Sequence, residues 1–199
     1  MGHDIGIIGL GVLGSAIAKN MVAGAKSVLG FDRAESAREV AAADGVILAE
    51  SNSDVARNCS IVLTCLPNAA AVLDVAQEIA SVANEGQIVV EMSTLSIADK
   101  EAARTILEAG GRHVLDCPVS GNRIMALGRG LTAFCSGTQE DFERVRETLL
   151  TFCKKVHYVG PFGNGTKVKL CGNILNLVHN TVAAEAMVLA IKSGLDPRM

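Results

Sequence analysis

The strongest constraint on the fold is a glycine-rich turn between a strand-forming segment and a helix-forming one. Residues 5–8 are mostly β-branched, which predicts a buried strand, and residues 13–23 predict a helix. Between them, Gly9-Leu10-Gly11-Val12-Leu13-Gly14 fits the pattern G-x-G-x-x-G. The first glycine allows the tight bend, the second lets the backbone approach a pyrophosphate, and the third lets the helix pack on the strand. In this setting the pattern predicts a dinucleotide-binding turn.

Strands and helices alternate along most of the chain after this turn. Strands that are apolar on both faces and joined by helices build a mostly parallel sheet covered on both sides. The sequence therefore predicts an α/β fold with a Rossmann-like, doubly wound, mostly parallel sheet. The predicted strands cover residues 28–31, 46–48, 61–65, 88–90, 114–115, 131–135 and 156–159, and the predicted helices cover 34–43, 69–82, 97–109 and 139–152.

A long C-terminal helix is predicted from Thr166 to Ser193, a segment in which Gly172 is the only strong helix breaker. At about 1.5 Å per residue it would span about 42 Å, more than a helix that covers a sheet needs. Most of its circumference is apolar, so a second domain or a partner chain is expected to bury it. We predict a dinucleotide-binding domain over residues 1–162, and over 163–199 the start of the interdomain helix of a truncated helical substrate or dimerisation domain.

Composition and charge exclude several classes of function. Lys plus Arg number 18 and Asp plus Glu 21, the net charge is −3 and aromatic residues make up 3%, so no nucleic-acid partner is expected. No run of about 18 uncharged apolar residues is present, so no membrane span is expected. The six cysteines form no C-x-x-C pair and the four histidines are scattered. This distribution favours reduced thiols in a cytoplasmic protein without a metal site.

The end of the second predicted strand bears on which dinucleotide binds. Asp32 lies 18 residues beyond Gly14, where an acidic residue accepts hydrogen bonds from the adenosine ribose of NAD. A carboxylate there would also repel the 2′-phosphate of NADP. Arg33 follows directly, and its guanidinium could bind that phosphate. NAD is therefore expected, with NADP as the alternative.

Two further segments carry polar side chains suited to a substrate. Four side chains recur at helical spacing on one face of the long helix, namely Lys169, Asn173, Asn176 and Asn180. This face is either the floor of a wet cleft or a stripe exposed to solvent. Residues 118–122, Pro-Val-Ser-Gly-Asn, could hold a carboxylate through a hydroxyl, an amide and backbone N–H groups, although alone they predict only a turn.

Five motifs follow one another along the whole chain. They are the glycine turn with Ala18-Lys19-Asn20-Met21, Cys65-Leu66-Pro67-Asn68, Met92-Ser93-Thr94, Asp116-Cys117-Pro118-Val119-Ser120-Gly121, and Gly163-Asn164-Gly165 with Lys169 and Asn173. In this order they resemble the β-hydroxyacid dehydrogenase family. That family includes 3-hydroxyisobutyrate dehydrogenase, tartronate semialdehyde reductase and 6-phosphogluconate dehydrogenase.

The resemblance implies roles for the matching positions. The implied cofactor contacts are Gly9, Leu10, Gly11, Val12, Leu13, Gly14, Asp32, Leu66, Pro67, Asn68 and Thr94, the last near the nicotinamide. Ser120, Gly121 and the residue at Asn122 would hold the substrate carboxylate. Lys169 would be the catalytic general acid/base, and Asn173 its supporting amide. The implied function is an NAD(P)-dependent oxidoreductase that transfers a hydride between the nicotinamide and a small 3-hydroxy acid or its semialdehyde.

Two departures from the family pattern bear on this function. Asn122 stands where the family has a second glycine, so a side chain enters the expected carboxylate pocket. Family members also continue into a helical domain that closes the cleft and often supplies dimer contacts, so we expect a truncated chain that forms a homo-oligomer through its terminal helix. The alternatives are a non-catalytic dinucleotide-binding fragment and a 6-phosphogluconate-type dehydrogenase, for which Arg123 and Arg129 are weak candidates as the additional basic residues.

Overall fold

The computed structural model describes residue 3 and residues 5–24, 26–196 and 198. Within them the strands are β1 (Ile5–Ile8), β2 (Val28–Phe31), β3 (Ile47–Leu48), β4 (Ile61–Thr64), β5 (Ile88–Glu91), β6 (His113–Asp116), β7 (Val119–Ser120), β8 (Leu131–Cys135) and β9 (Cys153–Tyr158). The helices are α1 (Val12–Ala23), α2 (Glu35–Ala43), α3 (Asn52–Asn58), α4 (Ala69–Ala80), α5 (Ile97–Ala109), α6 (Arg123–Leu127), α7 (Gln139–Leu150) and α8 (Asn164–Lys192). Residues 1, 2, 4 and 25 of the first predicted domain, and Pro197 and Met199 of the second, lie outside the described residues.

Six strands form one parallel sheet in the order β3-β2-β1-β4-β5-β6. The chain builds outward from β1 to β3 and then from β4 to β6, so the strand order reverses between β1 and β4. In open α/β sheets, ligands bind outside the carboxyl ends of the strands at such a reversal. The register aligns these ends, since Ile8 pairs with Thr64 and Thr64 pairs with Glu91. The glycine turn after β1 therefore lies beside the segment that follows β4.

Helices cover the two faces of this sheet with two separate apolar clusters. Successive side chains of a strand point to opposite faces. Accordingly, Ile7 belongs to one cluster and Ile8 to the other, and Val90 and Val89 divide in the same way. The predicted α/β fold, a Rossmann-like sheet followed by a long C-terminal helix, is confirmed.

The last three strands depart from the prediction of a single sheet. They form a separate sheet in which β7 is antiparallel to β8 and β8 is parallel to β9. Pro118 follows β6 closely and has no N–H to donate, so the parallel ladder cannot continue through it. A bridge between Asp116 and Ser136 connects the small sheet to the end of β6. The small sheet thus lies at the carboxyl ends of the parallel strands, as does the glycine turn.

The sequence analysis did not predict the two short helices α3 and α6. Part of the turn predicted at 118–122 is the strand β7. The hydroxyl of Ser51 accepts a hydrogen bond from the Asp54 N–H and caps α3, a capping pattern that the sequence contains. Asn122 caps α6, where its Oδ1 accepts a hydrogen bond from the Met125 N–H at 3.0 Å. The side chain that departs from the family glycine therefore starts a helix.

Helix α8 leaves the sheet after its first turn. Gly165 and Thr166 are buried, whereas most of the 29-residue helix is exposed, with apolar side chains such as Leu177 and Leu189 in solvent. By length and composition α8 could cross a membrane, a weak criterion that buried helices of soluble proteins also meet. The predicted absence of a membrane span and the predicted domain boundary after residue 162 stay predictions.

The most unusual interior group is the ammonium of Lys100 on α5. Lys100 is 1% exposed, and its Nζ lies 2.7 Å from Glu91 Oε2 and 2.6 Å from Asp116 Oδ1. These carboxylates end the neighbouring strands β5 and β6. Burial alone would lower the pKa of Lys100, but Glu91 and Asp116 outweigh it and raise the pKa above its usual range. The charged lysine therefore offsets the repulsion between two acids that the sheet brings together.

Replacing Lys100 with methionine should destabilise the fold by about 3–5 kcal/mol, because two buried carboxylates lose their counter-ion. Urea unfolding followed by circular dichroism measures this difference. Lys19→Met is the matched control, since Lys19 pairs with Asp44 at 2.6 Å while half exposed. Such a pair contributes about 0–1 kcal/mol. Equal free energies of unfolding for the two variants would contradict the structural role of Lys100.

Candidate functional site

The turn between β1 and α1 is shaped by three glycines with different constraints. Gly9 has a φ of 94°, and a Cβ there would collide with the carbonyl oxygen of Cys65. A Cβ on Gly14 would collide with the carbonyl oxygen of Gly9. A Cβ on Gly11 would meet no atom within 4 Å. Packing thus requires two of the glycines, while the third keeps open the space in front of α1.

The N-terminus of α1 faces that open space without a cap. Gly11 is the N-cap residue and provides no side-chain cap, and the first turn contains no acidic residue. The first N–H groups of a helix lack partners within the helix and lie at the positive end of its dipole. This end of α1 is therefore suited to an anionic group such as a phosphate.

Asp32, at the end of β2, fastens the glycine turn to the next loop. Its Oδ2 accepts a hydrogen bond from the Leu10 N–H at 2.7 Å, and its Oδ1 accepts one from the Ala34 N–H at 2.8 Å. Each oxygen can accept a further bond, so the carboxylate can still bind a ribose hydroxyl. The structural role of Asp32 was not predicted, because it depends on the proximity of two loops.

A cleft of about 640 Å³ opens in front of the glycine turn. Four separate parts of the chain line it. The residues predicted for the cofactor that lie there are Gly9, Gly11, Val12, Leu13, Gly14, Asp32, Arg33, Leu66, Pro67 and Asn68. Leu10 is buried beneath the turn, where its N–H donates a hydrogen bond to Asp32 Oδ2. Thr94 is exposed and lines no part of this cleft, so its contact with the nicotinamide stays a prediction.

Several residues of this cleft were missed by the sequence analysis, among them Asn52, Ala70, Ala71 and Asp74. Asn68 accepts a hydrogen bond from the Ala71 N–H and begins α4, which places the first turn of that helix against the cleft. Asp74 lies 3.6 Å from Arg33, with both side chains exposed. The Pro-Asn pair before α4 is the signal that could have identified this wall, whereas Asn52 follows only from the sheet order.

A second cleft of about 630 Å³ lies between the segment after β7 and one face of α8. It contains all five residues predicted for substrate and catalysis, namely Ser120, Gly121, Asn122, Lys169 and Asn173. Asn176 and Gly172 line it as well, and Gly172 leaves the helix surface open there. Asn180 lies one turn further, outside this cleft, and donates a hydrogen bond to Asn176 Oδ1 at 3.3 Å. Most of the polar stripe is therefore the floor of a cleft.

Lys169 is the only cation that lines this second cleft among the described residues. It is half-buried, and no acceptor in the described part of the chain bonds its ammonium. Burial lowers the pKa of Lys169 below its usual range. The cleft thus holds a partly desolvated positive charge without a counter-ion, which favours an anionic or oxygen-bearing ligand.

The cysteines contribute little to the chemistry of either cleft. All six are free; Cys59, Cys117, Cys135 and Cys153 are buried, whereas Cys171 on α8 is exposed. Burial, with a smaller contribution from Glu91, raises the pKa of Cys65 to about 12. Cys65 therefore lines the first cleft as a neutral group. The described residues contain no cluster of three potential metal ligands, and the cytoplasmic location stays a prediction.

Comparison with known proteins identifies the family to which this chain belongs. Residues 4–160 match the model of the NAD binding domain of 6-phosphogluconate dehydrogenase. The chain belongs to the β-hydroxyacid dehydrogenase family. The predicted nicotinamide dinucleotide is confirmed as the cofactor of the domain family to which most of the chain belongs.

Named relatives and solved structures agree with the family. The chain is 34% identical to L-threonate dehydrogenase of Cupriavidus necator over 99% of its own length and 68% of that protein. It is 31% identical to the probable 3-hydroxyisobutyrate dehydrogenase of Mycobacterium tuberculosis over 96% of its own length, and spans 65% of that relative. The structure of Mycobacterium tuberculosis 3-hydroxyisobutyrate dehydrogenase with L-serine superposes with a TM-score of 0.94 at 31% identity, covering 99% of this chain and 68% of the other.

The first cleft fits the pyrophosphate of a dinucleotide. The space that a Cβ on Gly11 would fill lies at the uncapped end of α1, where a phosphate could approach the backbone N–H groups. The apolar side chains of Val12, Leu66 and Val75 border the rest of the cleft and suit the flat face of a base. The residues present therefore fit the cofactor of the family.

Gly11→Ala should weaken NAD binding at least tenfold while changing the free energy of unfolding by less than about 1 kcal/mol. Its methyl group would enter the space left for the phosphate without meeting protein atoms. Gly14→Ala is the matched variant, and it should unfold at much lower urea concentration because its methyl group meets the Gly9 carbonyl. Calorimetric titration with NAD and urea unfolding measure both effects. Unchanged NAD affinity in Gly11→Ala would contradict this placement of the phosphate.

Proposed function

We propose that this chain carries the cofactor site and the reacting lysine of an NAD(P)-dependent oxidoreductase that acts on a small 3-hydroxy acid or its semialdehyde. The supporting observation is the second cleft, in which the ammonium of Lys169, without a partner among the described residues, faces the segment from Ser120 to Asn122. The family and a cleft suited to a dinucleotide add support from the other half of the site. Two clefts of this chemistry match the two reactants of a hydride transfer.

The cofactor would be held by the glycine turn, Asp32 and the segment Leu66-Pro67-Asn68. When bound, the nicotinamide supplies hydride acceptance or donation. NAD is the favoured form, because the Asp32 carboxylate would repel a 2′-phosphate. Arg33 could bind that phosphate in NADP, but Asp74 competes for its guanidinium at 3.6 Å. These charges support NAD over NADP.

The substrate would be oriented by its two oxygen-bearing ends. The hydroxyl of Ser120 and the backbone N–H groups beside it can donate to a carboxylate. Gly121 has a φ of 138°, a conformation that favours glycine and turns the chain into the N-terminus of α6. Asn122 uses its side-chain oxygen to cap α6, which leaves its amide NH₂ group to the cleft.

Lys169 would stabilise the substrate oxygen and exchange its proton. Oxidation of the hydroxyl releases a proton from oxygen, and a positioned amine can accept it; in reduction the ammonium returns it. The lowered pKa of Lys169 suits this role, because the amine gives up its proton at a lower pH than an exposed lysine. Asn173, one helical turn further, can orient the lysine or the same hydroxyl.

The names of relatives support the substrate class. 3-Hydroxyisobutyrate, L-threonate and 2-(hydroxymethyl)glutarate are the substrates named for relatives that are 31–34% identical. L-serine accompanies one of the similar structures. All four molecules carry a hydroxyl on the second carbon from a carboxylate. A cleft with a carboxylate-binding segment on one side and a lysine on the other fits molecules in which one carbon separates the carboxylate from the carbon that bears the hydroxyl.

Lys169→Met should lower the turnover of a reactive 3-hydroxy acid by about 100- to 10,000-fold, with NAD affinity unchanged. The expected cause is loss of the group that stabilises and exchanges charge on the reacting oxygen. Steady-state assays over a panel of 3-hydroxy acids, with calorimetric NAD titration, test this outcome. Lys167→Met is the matched control, since Lys167 is exposed on the same helix and bonds only Asn164 Oδ1 at 3.1 Å among the described residues. Undiminished turnover in Lys169→Met would disprove the assigned role.

We also propose that a second copy of this chain covers the apolar surface of α8. The exposed side chains Ile174, Leu177, Val182 and Leu189 form a stretch of helix that water solvates poorly. A second copy, rather than another protein, is supported by the resemblance to a family in which the helical domain that α8 begins often supplies dimer contacts. Pairing of two α8 helices would bury these side chains together.

Leu177→Glu should shift the chain towards a monomer, because a carboxylate would enter the buried interface. Light scattering at several concentrations should give at least twice the mass of one chain for the parent. Val40→Glu is the control, since Val40 is an exposed apolar residue on α2. A monomeric parent at high concentration would refute association through α8.

A further inference from the structure

A series of polar contacts runs through the interior from the first cleft towards α8. Leu66, which lines the cofactor cleft, donates its N–H to the hydroxyl of Ser93 at 3.0 Å. The Ser93 N–H donates to Glu91 Oε1 at 2.8 Å, and Glu91 Oε2 pairs with Lys100 Nζ at 2.7 Å. Ser93, Glu91 and Lys100 are each at least 95% buried. The cofactor loop is thus tied to the buried lysine without an interruption.

The same series continues from Lys100 into the first turn of α8. Asp116 Oδ1 accepts hydrogen bonds from Lys100 Nζ at 2.6 Å and from the Thr166 hydroxyl at 2.8 Å. Asp116 Oδ2 accepts from the Thr166 N–H at 2.8 Å. The Gly165 N–H donates to the Ser136 hydroxyl at 2.9 Å. Two N–H groups that a helix start leaves unpaired are therefore bound by buried side chains of the sheets.

These bonds determine how α8 is rotated about its own axis. Thr166 contributes both its N–H and its hydroxyl to one carboxylate, so rotation or sliding of the helix would break at least one bond. Gly165 adds a steric restraint, because a Cβ there would collide with the Phe134 carbonyl oxygen. Lys169 follows Thr166 by three residues and lies on the same side of the helix. The setting of the first turn therefore sets the direction of Lys169.

We propose that Asp116, held by Lys100, is a positioning residue that orients Lys169 in the second cleft through Thr166. This inference rests on the proposed function of Lys169 and adds how the chain fixes it. Apolar packing would resist separation of the helix and sheet but would tolerate small rotations, whereas directional bonds to a buried carboxylate select one arrangement. The network thus connects two elements that carry the two halves of the site.

The direct test is the ionisation of Lys169 itself. Thr166→Val removes the hydroxyl bond to Asp116 while keeping the size of the side chain. We expect the pKa of Lys169 to rise by about 0.5 unit or more towards that of a solvated lysine, as the first turn moves. A pH titration of lysine side-chain NMR signals measures this value in the full chain, with Lys169→Met identifying the signal. This readout requires no turnover.

Three variants separate positioning from general destabilisation. Thr166→Ser keeps the hydroxyl and should retain the parent pKa of Lys169. Thr105→Val makes the same substitution at an exposed hydroxyl on α5 that bonds the Glu101 carbonyl, and it should leave Lys169 unchanged. Ser136→Ala, which removes the acceptor of the Gly165 N–H, replaces Thr166→Val if that variant does not fold. An unchanged pKa of Lys169 in a folded Thr166→Val or Ser136→Ala variant would overturn the proposal.

Kinetics then test whether the network acts through Lys169. With a 3-hydroxy acid that the parent turns over, Thr166→Val should lower kcat about tenfold, with NAD affinity unchanged. Added to Lys169→Met, the same substitution should have no further effect, because the aligned group is absent. An equal loss in both backgrounds would show that the network acts elsewhere. Turnover that survives Lys169→Met undermines the proposed function, whereas the NMR result judges the positioning role alone.

Discussion

The buried contact of Lys100 with Glu91 and Asp116 is the constraint on which the arrangement of both clefts depends. A parallel sheet aligns the carboxyl ends of its strands, so acidic residues at the ends of β5 and β6 are brought side by side. Without a cation between them, this edge would be strained by repulsion in a medium that solvates charge poorly. With the cation in place, the carboxylates become acceptors that organise the loop after β5 and the start of α8. Lys100 thus offsets the repulsion between the two carboxylates and leaves them free to bind the segments that form the two clefts.

The glycine turn shows a complementary use of empty space. Gly9 and Gly14 are demanded by contacts within the protein, whereas Gly11 is demanded by nothing in the chain itself. Because the fold would tolerate a larger residue at Gly11, the glycine there indicates that a ligand needs the space. Here that requirement is the approach of an anion to the uncapped helix, and the match to an NAD-binding domain agrees with it.

Local patterns in the sequence were sufficient for the six-stranded sheet, most helices and the cofactor turn, because strand periodicity and glycine spacing act over a few residues; the separate sheet of β7, β8 and β9 was not predicted. The meeting of Ser120 with Lys169 has no such local signal; the family resemblance implied it, and the two residues line one cleft. Lys100 could not be recognised, since its partners come from two strands and its helix periodicity gives no sign of a buried charge. Asp32 was assigned to the ribose alone, because its bond to Leu10 joins residues on separate loops.

The half-buried ammonium of Lys169 also affects the stability of the chain. Its pKa lies below that of a lysine in the unfolded chain, so between the two values the unfolded chain binds more protons and stability increases with pH. Where the lysine is protonated in both states, burial makes its charge less favourable in the folded chain than in the unfolded one. A carboxylate that binds beside the lysine would offset this cost. Because it binds the folded state, it would also lower the unfolded fraction by mass action. Chains holding a small carboxylic acid would then outlast empty ones wherever proteases digest the unfolded form.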